Sequence, residues 1–150
     1  MSKIKRYNKN YNPLIADEVT PLTVLFHEQF LEFIVPVGNK VKVIHYKVWN
    51  ALTGELKKIM PQVTNFEITS FRMDHNQKRF AIGDNTGEVK IYNYIICIVI
   101  KTLTPHTGEI VSIIFCDSLK RIVTGSNDCV IYIHDDKDLY SSLLLRKITE

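Results

Sequence analysis

The 150-residue chain is short of glycine and proline, with six and five residues, and holds a single tryptophan. That composition excludes collagen-like and low-complexity chains. Its three cysteines, Cys97, Cys116 and Cys129, form no CxxC pair, and each lies in an apolar stretch. An odd number so placed argues against a disulfide framework or a zinc site, and predicts buried free thiols in a reducing cytosol. The longest apolar run, Tyr92 to Ile100, covers about nine residues, whereas a membrane helix needs roughly twenty. It is read as a buried strand, with no membrane association. The charged opening leads into Asn, Pro and Asp rather than an apolar segment, so it lacks the pattern of a signal peptide. Nucleotide-binding and hydrolase signatures are missing too: there is no P-loop, GxGxxG or GxSxG. His27-Glu28 starts like a zinc-protease motif, but Leu31 stands where the second His is required.

What is present is an ordinary globular composition, 45% hydrophobic and 23% charged, with a net charge of +3. That excess is too mild to make nucleic acid the default partner. Lys3, Lys5, Arg6 and Lys9 open the chain beside Tyr7 and Tyr11, and no acid precedes Asp17. This lead could touch an acidic surface or stay solvated as a frayed terminus. After residue 17, Lys and Arg are interleaved with acids.

A repeat dominates the rest. Shifted by 42 residues, Glu67–Asn93 falls on Glu109–Asp135 without a gap. Glu67/Glu109, Ser70/Ser112, Lys78/Lys120, Arg79/Arg121, Gly83/Gly125, Asn85/Asn127 and Ile91/Ile133 are identical, and Ile68/Ile110, Phe71/Ile113, Met73/Phe115, Phe80/Ile122, Ala81/Val123 and Val89/Ile131 agree in being apolar. Each copy alternates β-branched strands with turns rich in Asn, Asp and Gly. No segment carries a convincing helical stripe; Asp138–Lys147 admits one, but Ser141–Ile148 also sits where an outer strand belongs. The tripeptide TGE occurs at 53, 86 and 107, at three different places in the repeat, which marks turn chemistry and not a site.

A worn third copy lies upstream: Leu22–Phe26, Phe33–Pro36 and Val41–Val43 match the first three strands. Its ending, Val48-Trp49-Asn50, precedes Ile91-Tyr92-Asn93 by 43 residues, and that precedes Ile133-His134-Asp135 by 42. Aligning Asn39–Val43 with Gly87–Ile91 leaves Ile44–Val48 as an insertion that lengthens or bulges the hairpin.

A 42-residue, all-strand unit ending in an aromatic and Asn or Asp resembles the WD-repeat β-propellers. The resemblance covers about residues 20 to 150 and implies an all-β fold: a partial propeller of about three four-stranded blades in an open arc. The divisions are a lead at 1–20, carrying an outer strand of a preceding blade or none, and blades at roughly 21–60, 61–102 and 103–150. In the family a His, a Ser or Thr, an Asp and a Trp form a buried hydrogen-bonded tetrad. The matching residues of the last blade are His106, Thr124, Asp128 and His134, the last still able to donate from a ring nitrogen. In the middle blade they are Thr64, Ile82, Thr86 and Tyr92, which implies no such network, and in the first only Trp49 fits. The wording VWNALTGE, EITSF and GEVKIYN is further similar to the large ciliary and flagellar proteins that combine EF-hands with WD repeats. The EF-hand spacing itself is missing.

Little catalytic chemistry offers itself. His106 with Asp128 could form a general base held by a carboxylate, but the resemblance makes the pair a buried strut, and no nucleophile accompanies it. His134-Asp135-Asp136-Lys137-Asp138 could hold a cation weakly or form a solvated loop. The expectation is therefore a non-enzymatic interaction scaffold without cofactor or small-molecule substrate, in the cytoplasm and, on the closer resemblance, the axoneme. An open arc would expose apolar faces that a closed ring buries. Its expected partners are proteins, including further blades from another chain or segment. The alternatives are a truncated remnant with no independent role, or a nucleic-acid-associated module.

Overall fold

The computed structural model describes residues 25–39, 42–60 and 64–149. Over these residues the chain is all strand and turn, arranged as three four-stranded antiparallel sheets. The first holds β1 (Leu25–His27), β2 (Glu32–Asn39), β3 (Lys42–Asn50) and β4 (Leu56–Met60). The second holds β5 (Ile68–Met73), β6 (Arg79–Asp84), β7 (Val89–Asn93) and β8 (Val99–Thr102). The third holds β9 (Ile110–Cys116), β10 (Arg121–Ser126), β11 (Val130–Asp135) and β12 (Leu144–Thr149). Every sheet is a meander whose strands neighbour one another in chain order, and the array is open, as in part of a propeller.

The repeat endings explain where the third strand of each sheet stops. Asn50 Oδ1 accepts from Leu52 N and Thr53 N, Asn93 Oδ1 from Ile95 N and Ile96 N, and Asp135 Oδ1 from Lys137 N. A short side chain that bonds the backbone two and three residues on ends a strand and starts a turn. The aromatic just before it faces the second strand: Phe33 pairs with Trp49, Phe80 with Tyr92, and Ile122 with His134. Trp49 stacks on Phe33 at 6.5 Å, and Tyr92 on Phe80 at 5.1 Å.

Two expectations are corrected and one is given its place. The extra residues of the first sheet lengthen and bulge the β2–β3 hairpin at its turn end, and β3 runs without a break from Lys42 through Trp49. Val37 pairs with His45 and Gly38 with Val43, so Ile44 is the bulged residue. The Tyr92–Ile100 run is not a buried strand: residues 94–96 form the turn capped by Asn93, and Ile95, Ile96 and Ile98 are exposed. The cysteines are free but not buried; Cys97 and Cys116 are half-buried and Cys129 is exposed.

The core sits between sheets as much as within them. Ile34 and Val48 of the first sheet meet Ile68, Phe71, Phe80, Ile82, Tyr92 and Tyr94 of the second. Ala81, Val89 and Ile91 of the second sheet meet Leu103, Ile110, Ile113 and Ile122 of the third. The first and second sheets thus each hide one face under the next. The approach is closest at Gly83, where a Cβ would lie 2.4 Å from Cγ2 of the buried Ile110. At Gly125, the equivalent position of the third sheet, a Cβ would meet nothing within 4 Å. Gly83→Ala should therefore destabilise the chain by about 1–3 kcal/mol through overpacking, while Gly125→Ala leaves the midpoint of a urea melt unchanged or slightly raised. Equal effects of the two substitutions would contradict this account.

Candidate functional site

The third sheet assembles three of the four tetrad residues. Leu103 N and His106 N donate to the Val89 and Gly87 carbonyls, which holds the connecting segment between the second and third sheets. From there His106 Nε2 lies 2.8 Å from Thr124 Oγ1, and Nδ1 lies 3.3 Å from both oxygens of Asp128. The carboxylate also accepts from Thr107 N at 2.9 Å, Thr107 Oγ1 at 3.1 Å and Val130 N at 3.0 Å. Desolvation opposes its ionisation, but these hydrogen bonds outweigh it and hold Asp128 at about 2. Both ring nitrogens of His106 are engaged, and its ring stacks on Tyr132 at 4.2 Å. The arrangement braces a loop.

His134 does not join the network. It is buried edge-on to Tyr132, and neither ring nitrogen has a hydrogen-bond partner. The expected donation is not made; Thr124 Oγ1 is engaged by His106 Nε2 instead. Burial, then the charge of His106, lower its pKa from 6.5 to about 4, against a smaller opposing pull from the Ile122 backbone.

The middle sheet has a network after all, with the polar residues exchanged. The third sheet carries Ser126 and Asp128, and the second carries Asp84 and Thr86 at the equivalent positions. Thr64 Oγ1 donates to Asp84 Oδ2 at 3.2 Å, and Asp84 Oδ1 accepts from Thr86 N at 3.0 Å, from Thr86 Oγ1, and from Glu88 N at 3.2 Å. Position-by-position matching to the family pattern misses it, because the carboxylate has moved two residues. Trp49 has its Phe33 stack and is half-buried. Lys3, Lys5, Arg6 and Lys9 lie outside the described residues.

In the acidic run after His134, Lys137 and Asp138 are exposed as in a solvated loop, but Asp136 is not. Asp136 is buried and receives Arg79 Nη1 at 2.9 Å and Nη2 at 2.8 Å, with Lys101 Nζ at 2.6 Å. Both cations belong to the second sheet. Lys101, itself 4% exposed, also donates to the Asp138 carbonyl, and Arg79 Nε reaches Asp74 at 3.1 Å. The two cations keep Asp136 ionised despite its burial, holding its carboxyl below the usual carboxylate range. Among the described residues no cluster of His, Cys, Asp and Glu is placed to hold a metal.

The same position does the same work between the first and second sheets. Tyr94, which corresponds to Asp136, donates its hydroxyl to Glu32, while Lys58 Nζ lies 3.0 Å from the Tyr94 carbonyl and 4.7 Å from its ring centre. Burial and then the Glu32 bond raise the Tyr94 pKa. Beside it the fully buried His27 takes a bond from Phe30 N at Nδ1, reaches the Gln77 carbonyl at 2.8 Å through Nε2, and packs at a tilt against Tyr94 at 4.4 Å. His27 is thus an inter-sheet strut. Its signal in the sequence was only a His at the end of a short apolar strand.

The chain matches no protein-family model. It is 38% identical over 146 residues to the cilia- and flagella-associated protein 337 B of Tetrahymena thermophila, which covers 97% of this chain and 11% of that protein. The chain therefore spans about a ninth of this relative. Among solved structures, the crystal structure of the computationally designed Ika8 protein superposes with a TM-score of 0.65, at 21% identity, over 83% of this chain and 35% of that one. That likeness is one of fold.

Two outcomes follow for stability. Asp136→Ala strands the buried Lys101 and leaves Arg79 with Asp74 alone, and should cost about 3–5 kcal/mol in a chemical melt; a loss no larger than that of an exposed surface substitution would refute the clamp. Above pH 6.5 neither the folded nor the unfolded chain protonates residue 134. Between 6.5 and about 4 the unfolded chain takes up the proton and the folded one does not, so stability falls as pH drops through that window. His134→Phe should flatten this part of a plot of melting midpoint against pH.

Proposed function

We propose that the chain is an arc of a WD-repeat β-propeller that serves as a non-catalytic protein–protein interaction scaffold in a ciliary or flagellar axonemal assembly. The observation that carries the reading is the outward face of the third sheet. Ala81, Val89 and Ile91 are buried under a neighbouring sheet, whereas of their equivalents Val123 and Ile133 are half-buried and Ile131 is 42% exposed. Val111 and Ile114 on the same face are 63% and 51% exposed. A contiguous apolar patch of this kind marks a protein contact.

The non-catalytic part of the reading is supported by how the candidate residues are used. His106 has both ring nitrogens in structural bonds, Asp128 accepts backbone and hydroxyl donors, and Asp136 is taken up by two cations. The ciliary part draws on the Tetrahymena relative, named for its association with cilia and flagella.

A tagged chain expressed in a flagellated cell should stay with the detergent-resistant axoneme and co-purify with axonemal proteins. Gly125→Leu, which fills the open face without touching the tetrad, should lower that retention severalfold. A chain found only in the detergent-soluble fraction, accompanied by chaperones alone, would sink the proposal.

A further inference from the structure

The two internal junctions of the chain share one plan, and the register fixes which residues of the third sheet repeat it. Glu32, Arg79 and Arg121 occupy equivalent positions, each paired with the Asn or Asp that ends the third strand. Lys58, Lys101 and Arg146 are likewise equivalent, opposite Val48, Ile91 and Ile133. Ala51, Tyr94 and Asp136 form the third set, each donating its backbone N–H to the turn before its own second strand, at Leu31, Lys78 and Lys120. In both junctions the residue of the third set enters between the other two residues of the preceding sheet. Tyr94 meets Glu32 and Lys58; Asp136 meets Arg79 and Lys101. The character of the pair selects the plug, an acid and a base taking a phenol and two bases taking a carboxylate.

On the outward face of the third sheet both positions are arginine. Arg121 uses Nη1 on Asp135 at 2.7 Å with its side chain 29% exposed, and Arg146 is exposed. Beside them a groove of about 340 Å³ runs past Val111, Ser112, Gly125, Cys129, Ile131 and Ile148. It is floored by the glycine that, one sheet earlier, receives Ile110.

Resting on the reading of this face as a protein contact, we propose that its occupant is an antiparallel sheet unit with two complementary groups. It presents a β-branched aliphatic side chain to the Gly125 groove and a carboxylate, on the turn after its third strand, to Arg121 and Arg146. One feature differs from the internal junction. Cys129 stands where the second sheet has Gly87, and a Cβ at Gly87 would lie 2.4 Å from the His106 carbonyl. The occupant's connecting loop is therefore set further out than residues 103–108 are on Gly87.

The test extends the full chain after residue 150 with a second copy of residues 103–149. Cys129→Gly removes the loop clash, Cys97 and Cys116 are changed to Ser, and Val111→Cys supplies a reporter thiol. Docking should slow the reaction of that thiol with a disulfide reagent by about tenfold or more, since it then requires local opening. Replacing the appended copy's Asp136 by Lys should restore the fast rate, and adding Arg146→Glu or Arg121→Glu to that variant should slow it again. A thiol that reacts equally fast with and without the appended copy overturns both the contact face and its chemistry. Protection that survives the Asp136→Lys change overturns the carboxylate while leaving the apolar face as a contact.

Discussion

Asp136 sits between two cations that belong to a different sheet, with 8% of its surface exposed. A carboxylate removed from water costs several kcal/mol unless charge and hydrogen bonds replace its hydration. Arg79 supplies two parallel bonds and Lys101 a third, so Asp136 tolerates burial only while the second and third sheets are docked in this register. Apolar contact between Ile110 and the Gly83 side of the second sheet is non-directional and would tolerate a slide. The bidentate pair would not, because a shift of one residue leaves Asp136 and Lys101 unmatched and Arg79 with Asp74 alone. Adhesion and alignment thus come from different residues.

The His106 network belongs to the same construction. Its residues lie in the third sheet and its connecting segment, yet its product is the position of residues 103–108, whose backbone donates to Val89 and Gly87 of the second sheet. Gly87 can receive that segment because it has no Cβ and adopts a φ of 90°. Bracing the loop from behind with Thr124 and Asp128 fixes the donors it aims forward. The exchanged arrangement around Asp84 and Thr86 braces the equivalent turn in the second sheet, reached by a carboxylate at the strand end instead of in the turn. The constraint is on the turn's shape, and more than one placement of Asp and Thr satisfies it.

What was legible in the sequence is what each sheet needs for itself. Alternating apolar strands, Asn- and Asp-bearing turns, and the aromatic before each strand-ending Asn recur because every sheet solves the same local problem. What was not legible depends on partners far along the chain. Arg79 and Arg121 are identical in the repeat, but one bonds a residue 57 positions away and the other a residue 14 away. Nothing in the local wording of His134–Asp138 distinguishes a loop in water from a buried clamp. The Tyr92–Ile100 run misled for the opposite reason: its hydropathy pointed to burial, while Asn93 capped it into a turn with its isoleucines outward. His134 fits the tetrad by position but makes none of its bonds.

The outward face of the third sheet departs from the second in one consistent direction. Thr69, which bonds the Ile110 carbonyl across the junction, becomes Val111, and Arg72 becomes Ile114. The first change removes a polar contact across the junction, and both leave the face more apolar than its internal counterpart. A more apolar face gains more from being covered, but discriminates less among the surfaces that could cover it. The arginines at 121 and 146 offset that loss, since a neighbour without a carboxylate would have to desolvate two cations with only Asp135 beside Arg121. Affinity and selectivity are therefore divided on this face as they are at the internal junction between Gly83 and Asp136, with the balance moved toward oil and cation.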